Sequence, residues 1–424
     1  MEVRIAQSDL PRVVIIGGGF GGVHLVNKLR KFDVQVVVID QYNFHQFQPL
    51  FYQVATSGLE PSSIIFPFRK MFQKNEHVHF RLAEVEKINT LNKEVITSIG
   101  RISYDYLVIA TGAGNNFFGN ENIEKYALPM KSINESLRLR NIILERFEEA
   151  LGYNEDERDP YLHFVIAGGG PTGTELAGTL AEMRSFVLPK DYPELDLSHM
   201  RITLIEGAPR VLAAMSEQSS KKAQEYLENL GVEIHLNTYV GDYDGEMITT
   251  RAGEKYYAHT LIWAAGIKAN FVEGLPEDTR GPGNRIWVNE YNQVRNLEEV
   301  FAIGDVALME GDPNYPKGHP QLAQAAIQQG NNLAKNIMSI VQRKPLMPFR
   351  YKNLGTMATV GRNKAVVELP HRKFAGFFAW LIWMLVHLRS ILGIKNKWVV
   401  FMNWVWNYFT YNLSLRLIIK RKDE

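Results

Sequence analysis

The 424-residue chain contains no cysteine. That absence excludes a disulfide framework, thiolate-ligated iron–sulfur clusters and a redox-active cysteine pair. Net charge is also scarce. With 47 Lys or Arg against 46 Asp or Glu the balance is +1, so no bulk field points to nucleic acid. The tail's apolar run, FAGFFAWLIWMLVHL at 374–388, stops after 15 residues at Arg389, short of the roughly 20 that a spanning helix needs. The opening segment MEVRIAQSDLPR is too short and polar for a signal peptide, so the chain is expected to start here and stay in the cytoplasm. His319 and His387 are lone histidines without metal-ligand spacing, and no metal site is expected.

What the sequence does have is two glycine fingerprints of one kind. Gly17, Gly19 and Gly22 stand in VVIIGGGFGG, and Gly168, Gly170 and Gly173 in HFVIAGGGPTG. Each follows an apolar strand-like run and leads into a helical pattern. The first glycine permits the tight turn, the second admits a pyrophosphate to the backbone, and the third allows close helix–strand packing. The helix N-terminus then favours the negative charge. A ribose-binding carboxylate is expected at the end of each second strand. Asp40 closes DVQVVVID, 23 positions after Gly17, and Glu206 closes RITLIE, 38 after Gly168. The second gap is long, and a surface excursion over 184–200 accounts for it. Glu206 would repel a 2′-phosphate, which favours NADH over NADPH.

Two further parallels suggest an internal duplication. The strand at 102–114 ends in Ala110-Thr111-Gly112, and that at 260–270 in Ala264-Ala265-Gly266. A later strand ends in Gly304-Asp305. It is followed by a Gly/Pro-rich loop and a helical stretch over 321–342, with Pro320 at a plausible first position. On that helix Gln321, Gln324 and Gln328 fall on one face, and Ala323, Ala325 and Ala326 leave room for a ring. Thr172-x-x-Glu175 reads as a capping box, a role that can coexist with a functional one for Glu175.

Together these residues resemble the two-dinucleotide flavoprotein reductases, whose FAD domain is interrupted by an NADH domain. The absence of cysteine sets aside their disulfide-reducing members and the cysteine-dependent sulfide–quinone reductases. Three segments narrow the resemblance to type II NADH dehydrogenases, the single-chain, non-pumping NADH:quinone oxidoreductases: QFQPLFYQVATSGLEP (46–61), GGGPTGTELAG (168–178) and LAQAAIQQG (322–330). The resemblance implies an α/β fold of two Rossmann-like domains and a membrane-binding helical tail. The expected division is FAD domain 1–125 and 285–345, NADH domain 126–284, and tail 346–424. It implies FAD as cofactor, NADH as donor of hydride to flavin N5, and a membrane quinone (ubiquinone or menaquinone) as acceptor. By resemblance Gly304 and Asp305 return to the FAD ribityl region, and Gln48, Pro49 and Leu50 border the isoalloxazine. Gln321, Leu322, Ala323, Gln324 and Gln328 serve the flavin and quinone, and Glu175 lies near the nicotinamide–flavin contact. Lys364 is a candidate cation at the quinone end.

The tail carries nine Lys or Arg from His371 onward against Asp423 and Glu424, +7 there and −6 before it. Trp380, Trp383, Trp398, Trp404 and Trp406, five of seven tryptophans, alternate with Lys395, Lys397, Arg416, Lys420, Arg421 and Lys422. Aromatic and basic residues on short apolar helices mark a monotopic segment in the headgroup plane. An anionic lipid surface on the cytoplasmic face of the cell membrane is the expected seat, with a homodimer contact expected in the same region. A reductase serving a soluble protein, and a nucleotide-bound membrane sensor, are the alternative readings. The tail weighs against the first and the intact fingerprints against the second.

Overall fold

A computed structural model describes residues 1–411 and 415–419. It divides into two compact units. One gathers 1–45, 66–114 and 267–353, and the other gathers 46–65, 115–266 and 354 onward. The chain changes unit just past Gly112 and Gly266, where the sequence reading put the changes near 125 and 284.

The first unit is built on a five-stranded parallel sheet in the order Val300–Ala302, Tyr106–Ile109, Arg12–Ile16, Gln35–Asp40, Val78–Leu82. Val13, Val14, Ile15, Val36, Val37, Val38 and Leu107 are wholly buried, as continuous apolar strands covered on both faces should be. The helices Phe20–Leu29 and Ala323–Val341 pack through glycine. A Cβ on Gly330 would lie 2.5 Å from the Gly21 carbonyl.

The second unit repeats the plan. Leu128–Pro129, Thr260–Trp263, His163–Ala167, Arg201–Ile205 and Glu233–His235 form a parallel sheet in that order. In each unit an antiparallel three-stranded meander joins the third strand of the nucleotide fold to the next: Val85–Ser103 in the first, Val240–Tyr257 in the second. The shared topology supports the duplication inferred from the glycines. The excursion over 184–200 is only partly at the surface. The helix after the second fingerprint runs on to Phe186, and Val187, Leu188, Leu197 and Met200 are buried.

The second unit also carries an antiparallel sheet of Thr356–Thr359, Ala365–Leu369 and Arg372–Ala375, then helices Phe377–Ser390 and Ile394–Thr410. Among the described residues no helix is long and apolar enough to cross a membrane. Lys420, Arg421, Lys422, Asp423 and Glu424 lie outside the described residues.

Candidate functional site

The two glycine turns are near copies. A Cβ on Gly17 would sit 2.3 Å from the Ala110 carbonyl, and one on Gly168 2.4 Å from that of Ala264. Both residues have positive φ, 102° and 106°. A Cβ on Gly22 would come within 2.0 Å of the Gly17 carbonyl, and one on Gly173 within 1.9 Å of that of Gly168. By contrast nothing lies within 4 Å of a Cβ on Gly19 or Gly170. These two glycines are the N-caps of helices Phe20–Leu29 and Pro171–Phe186. Neither helix has a side-chain cap or an acidic residue in its first turn. Each cradle therefore has an open backbone face with free N–H donors, which suits a pyrophosphate. The residues present fit an FAD in the first unit and an NADH in the second.

Each carboxylate closes its own cradle. Asp40 accepts from the Gly18 N–H at 2.6 Å and the Tyr42 N–H at 2.8 Å. Glu206 accepts from the Gly169 N–H, and from Ala208 at 2.7 Å. Burial raises the Asp40 pKa, and its two N–H donors oppose the rise. Thr111 and Asn270 tie the turn after Ala110 to the chain at 270, through bonds of 2.7 and 3.0 Å. Gly112 has open space around it. Ala265 and Gly266 occupy the matching turn of the second unit, where a Cβ on Gly266 would meet the Phe118 ring at 2.7 Å.

The helix after Gly304-Asp305 departs from expectation. It starts at Ala323, with Leu322 extended at φ −127° as its N-cap, so Pro320 and Gln321 precede it. Gln321 donates to the Asp305 carbonyl at 3.0 Å. Gln324 lies in the first turn, partly buried. Gln328 clamps the backbone of Lys352 with both ends of its amide, at 2.8 and 3.0 Å. Gln329, which the spacing did not single out, is 2% exposed and accepts from the Gly304 N–H at 2.7 Å. It fixes the turn that the resemblance assigns to the flavin.

In the second unit Gln48, Pro49 and Leu50 form one tight helical turn leading into the helix Phe51–Ala55. Glu175 is buried, and the capping box is not formed. The helix begins at Pro171 with Gly170 as cap, which places Thr172 inside it. The Glu175 carboxylate instead accepts from the Thr359 N–H at 3.3 Å. Burial pushes its pKa up to about 8 against that donor and the nearby Trp383 indole. Tyr52, also buried, shares a hydrogen bond with the Thr359 hydroxyl at 3.2 Å and accepts one from Gln53 at 2.9 Å. Its pKa is raised by burial and by the charge of Glu175. Lys364 sits over the Tyr226 ring at 5.7 Å, and its charge acts on Glu182.

Residues 11–330 match the pyridine nucleotide-disulphide oxidoreductase family, and residues 353–410 match the NDH2 C-terminal domain. A type II NADH:quinone oxidoreductase of Mycobacterium tuberculosis is 35% identical over 93% of this chain and 87% of its own length. The chain belongs to the type II NADH:quinone oxidoreductases. A member from Haemophilus influenzae is 27% identical over 96% of this chain and all of its own. The solved NDH2 of Plasmodium falciparum in complex with NADH shares the fold, with a TM-score of 0.88 over 97% of this chain and 100% of that one at 21% identity. Without cysteine, this member of the wider family cannot use a disulfide.

The matched C-terminal domain, residues 353–410, falls in the region read from sequence as a tail. Here it is largely folded onto its own unit. Trp404 donates to the Gln53 side chain at 2.8 Å, and Asn396 donates to the Ile65 carbonyl at 2.9 Å. Asn407 donates to the Gly58 carbonyl at 3.2 Å. Trp383 is 2% exposed and stacks on His387, whose pKa burial pushes down to about 4. Arg416, expected at the lipid surface, forms an ion pair with Asp191. Those inward groups were missed because nothing local marks them: Gln53 and Trp404 are 351 positions apart.

Proposed function

We propose that the chain transfers electrons from NADH to a membrane quinone without pumping protons, with the first unit holding FAD and the second NADH. The carrying observation is the pair of open glycine cradles, each closed by its own carboxylate. Bound FAD supplies the two-electron chemistry that joins nicotinamide oxidation to quinone reduction. Gly17, Gly19, Gly22 and Asp40, with Ala110–Gly112 and Gly304-Asp305, position it. Gly168, Gly170, Gly173 and Glu206, with Ala265 and Gly266, bind the donor. Glu206 selects against a 2′-phosphate by charge.

Glu175 is the proton donor on the quinone side in this reading. A carboxyl with a pKa near 8 is largely protonated at neutral pH, the state a general acid needs. Gln324, at the start of its helix, offers an amide to the flavin or quinone, whereas Gln328 serves the site by holding Lys352 in place. Lys364 acts through Glu182 rather than on the quinol.

The enzyme sits on the cytoplasmic face of the cell membrane, peripherally, on an anionic lipid surface. What supports this is the outer stripe of helix Ile394–Thr410. Ile394, Trp398, Met402, Trp406 and Phe409 are each more than half exposed, and they recur at helical spacing beside Lys395 and Lys397. A homodimer through the same C-terminal region would be read from its mass in detergent.

Anaerobic stopped-flow absorbance tests the reaction. NADH should bleach the flavin and a short-chain quinone should restore it. Bleaching without return would retain the donor and reject the acceptor.

A further inference from the structure

We propose that Glu182 is the proton-entry group that reloads Glu175 in each turnover, through the tryptophan-walled cavity that Glu182 lines together with Tyr52 and Thr359. The inference rests on the oxidoreductase reading and begins with its balance. A quinone takes up two electrons and two protons to become a quinol. NADH gives both electrons and one proton, so the second proton comes from water: NADH + H⁺ + quinone gives NAD⁺ + quinol. A buried carboxyl that hands over this proton must be refilled from solvent, and Glu175 is only 7% exposed.

Glu182 lies seven residues further along the same helix, about 10 Å along the axis and on the same face. It is partly exposed. A cavity of about 130 Å³ is bounded by Glu182 and Thr179 on this helix and by Tyr52, Thr359 and Trp383. It therefore joins the half-buried Glu182 to Tyr52 and to Thr359, whose N–H donates to the Glu175 carboxylate. That volume suits a few water molecules, and the polar groups of Tyr52, Gln53, Thr179 and Thr359 in its wall can hold them. The Tyr52 oxygen already accepts from Gln53, which leaves its own proton for Thr359 or for the cavity. Burial, and then the charges of Glu175 and Glu182, raise the Tyr52 pKa, so Tyr52 relays protons while remaining neutral.

The position of Glu182 is built into the backbone. A Cβ on Gly361, at φ +68°, would lie 2.7 Å from its Oε1. The carboxylate accepts from the Arg362 N–H. The Arg362 guanidinium is directed elsewhere, donating to the Tyr408 and Asn407 carbonyls and lying 3.5 Å from the Tyr411 ring centre. Glu182 is thus held by one backbone donor, with the charges of Arg362 and Lys364 nearby. It can take up and release a proton without breaking an ion pair.

The test uses the full-length, FAD-loaded protein and Glu182→Gln, which keeps an acceptor for the Arg362 N–H and removes only the exchangeable proton. On transfer to D₂O, infrared spectroscopy follows the protonated-carboxyl band that disappears in Glu175→Gln. Its hydrogen–deuterium exchange should slow at least roughly tenfold in Glu182→Gln, as for loss of a proton-transfer group. Stopped-flow flavin reduction by NADH should be unchanged, while reoxidation by quinone slows by a similar factor and gains a solvent isotope effect. Tyr52→Phe, which keeps the ring and removes the hydroxyl, should give the same pattern. Wild-type exchange and reoxidation rates in both variants would overturn the relay and leave the oxidoreductase reading intact. A wild-type flavin that quinone cannot reoxidise would overturn both.

Discussion

Glu175 shows how far one buried residue can be read in energetic terms. Its carboxyl has an ordinary value of 4.5 and is pushed up to about 8 by burial. Between those values the native protein holds a proton that the unfolded chain has released. Stability therefore falls as pH rises through that window, is flat below it, and reaches its full loss above it. The loss is on the order of 5 kcal/mol. Glu175→Gln removes the titration. Thermal melts between about pH 5 and pH 9 should show the wild-type Tm dropping more than that of the variant, and parallel curves would contradict the burial argument. In the proposed reading Glu206 sets donor specificity. Glu206→Gln removes the charge that repels a 2′-phosphate and weakens the bond from Gly169, a charge-assisted contact worth about 1.5–3 kcal/mol. The kcat/KM ratio of NADH to NADPH should fall by roughly tenfold or more. An unchanged ratio would remove Glu206 from donor selection.

At the scale of elements, the legible parts are those written in neighbouring residues. Both fingerprints could be read because one strand, one turn and one helix N-terminus lie within about 20 residues, and the structure reproduces the turns to within a few tenths of an ångström. The capping box was misread for a local reason as well. Pro171, with its fixed φ, starts the helix one residue before Thr172. The Glu175 partner could not be read at all, because Thr359 lies 184 positions away. The same holds for Tyr52 and Thr359, 307 positions apart. Gln329 escaped because it is one residue off the face counted from Gln321, a face that does not exist once the helix starts at Ala323. The crossing of Phe20–Leu29 and Ala323–Val341 gives a test at this scale. Gly330→Ala would place a methyl 2.5 Å from the Gly21 carbonyl, and a helix backbone cannot give locally. The helices must separate, at about 1–3 kcal/mol. Because the first glycine cradle opens one of them, the variant should lose FAD on gel filtration as well as several degrees of Tm. Full FAD retention at wild-type Tm would show that the crossing can relax.

For the whole molecule, the C-terminal region has an inward and an outward face that differ sharply in exposure. Trp383, Val400 and Trp404 face inward and are at most 9% exposed, whereas Phe378, Leu385, Ile394, Trp398 and Phe409 are 61–77% exposed. Deleting residues from 374 onward would remove both faces, so loss of membrane binding in a truncated chain would not separate anchoring from folding. Charge placed on the outer face alone does separate them. Trp398→Glu with Phe409→Glu leaves the inward tryptophans and the bonds of Asn396, Trp404 and Asn407 in place. Each exchange trades an apolar ring worth about 2 kcal/mol of burial for a carboxylate that anionic lipid repels. The double variant should keep the wild-type Tm and its NADH-driven flavin bleaching, and should fail to sediment with vesicles that contain anionic lipid. Sedimentation equal to wild type would place the lipid contact elsewhere, with Phe378 and Leu385 on the preceding helix as the next residues to charge.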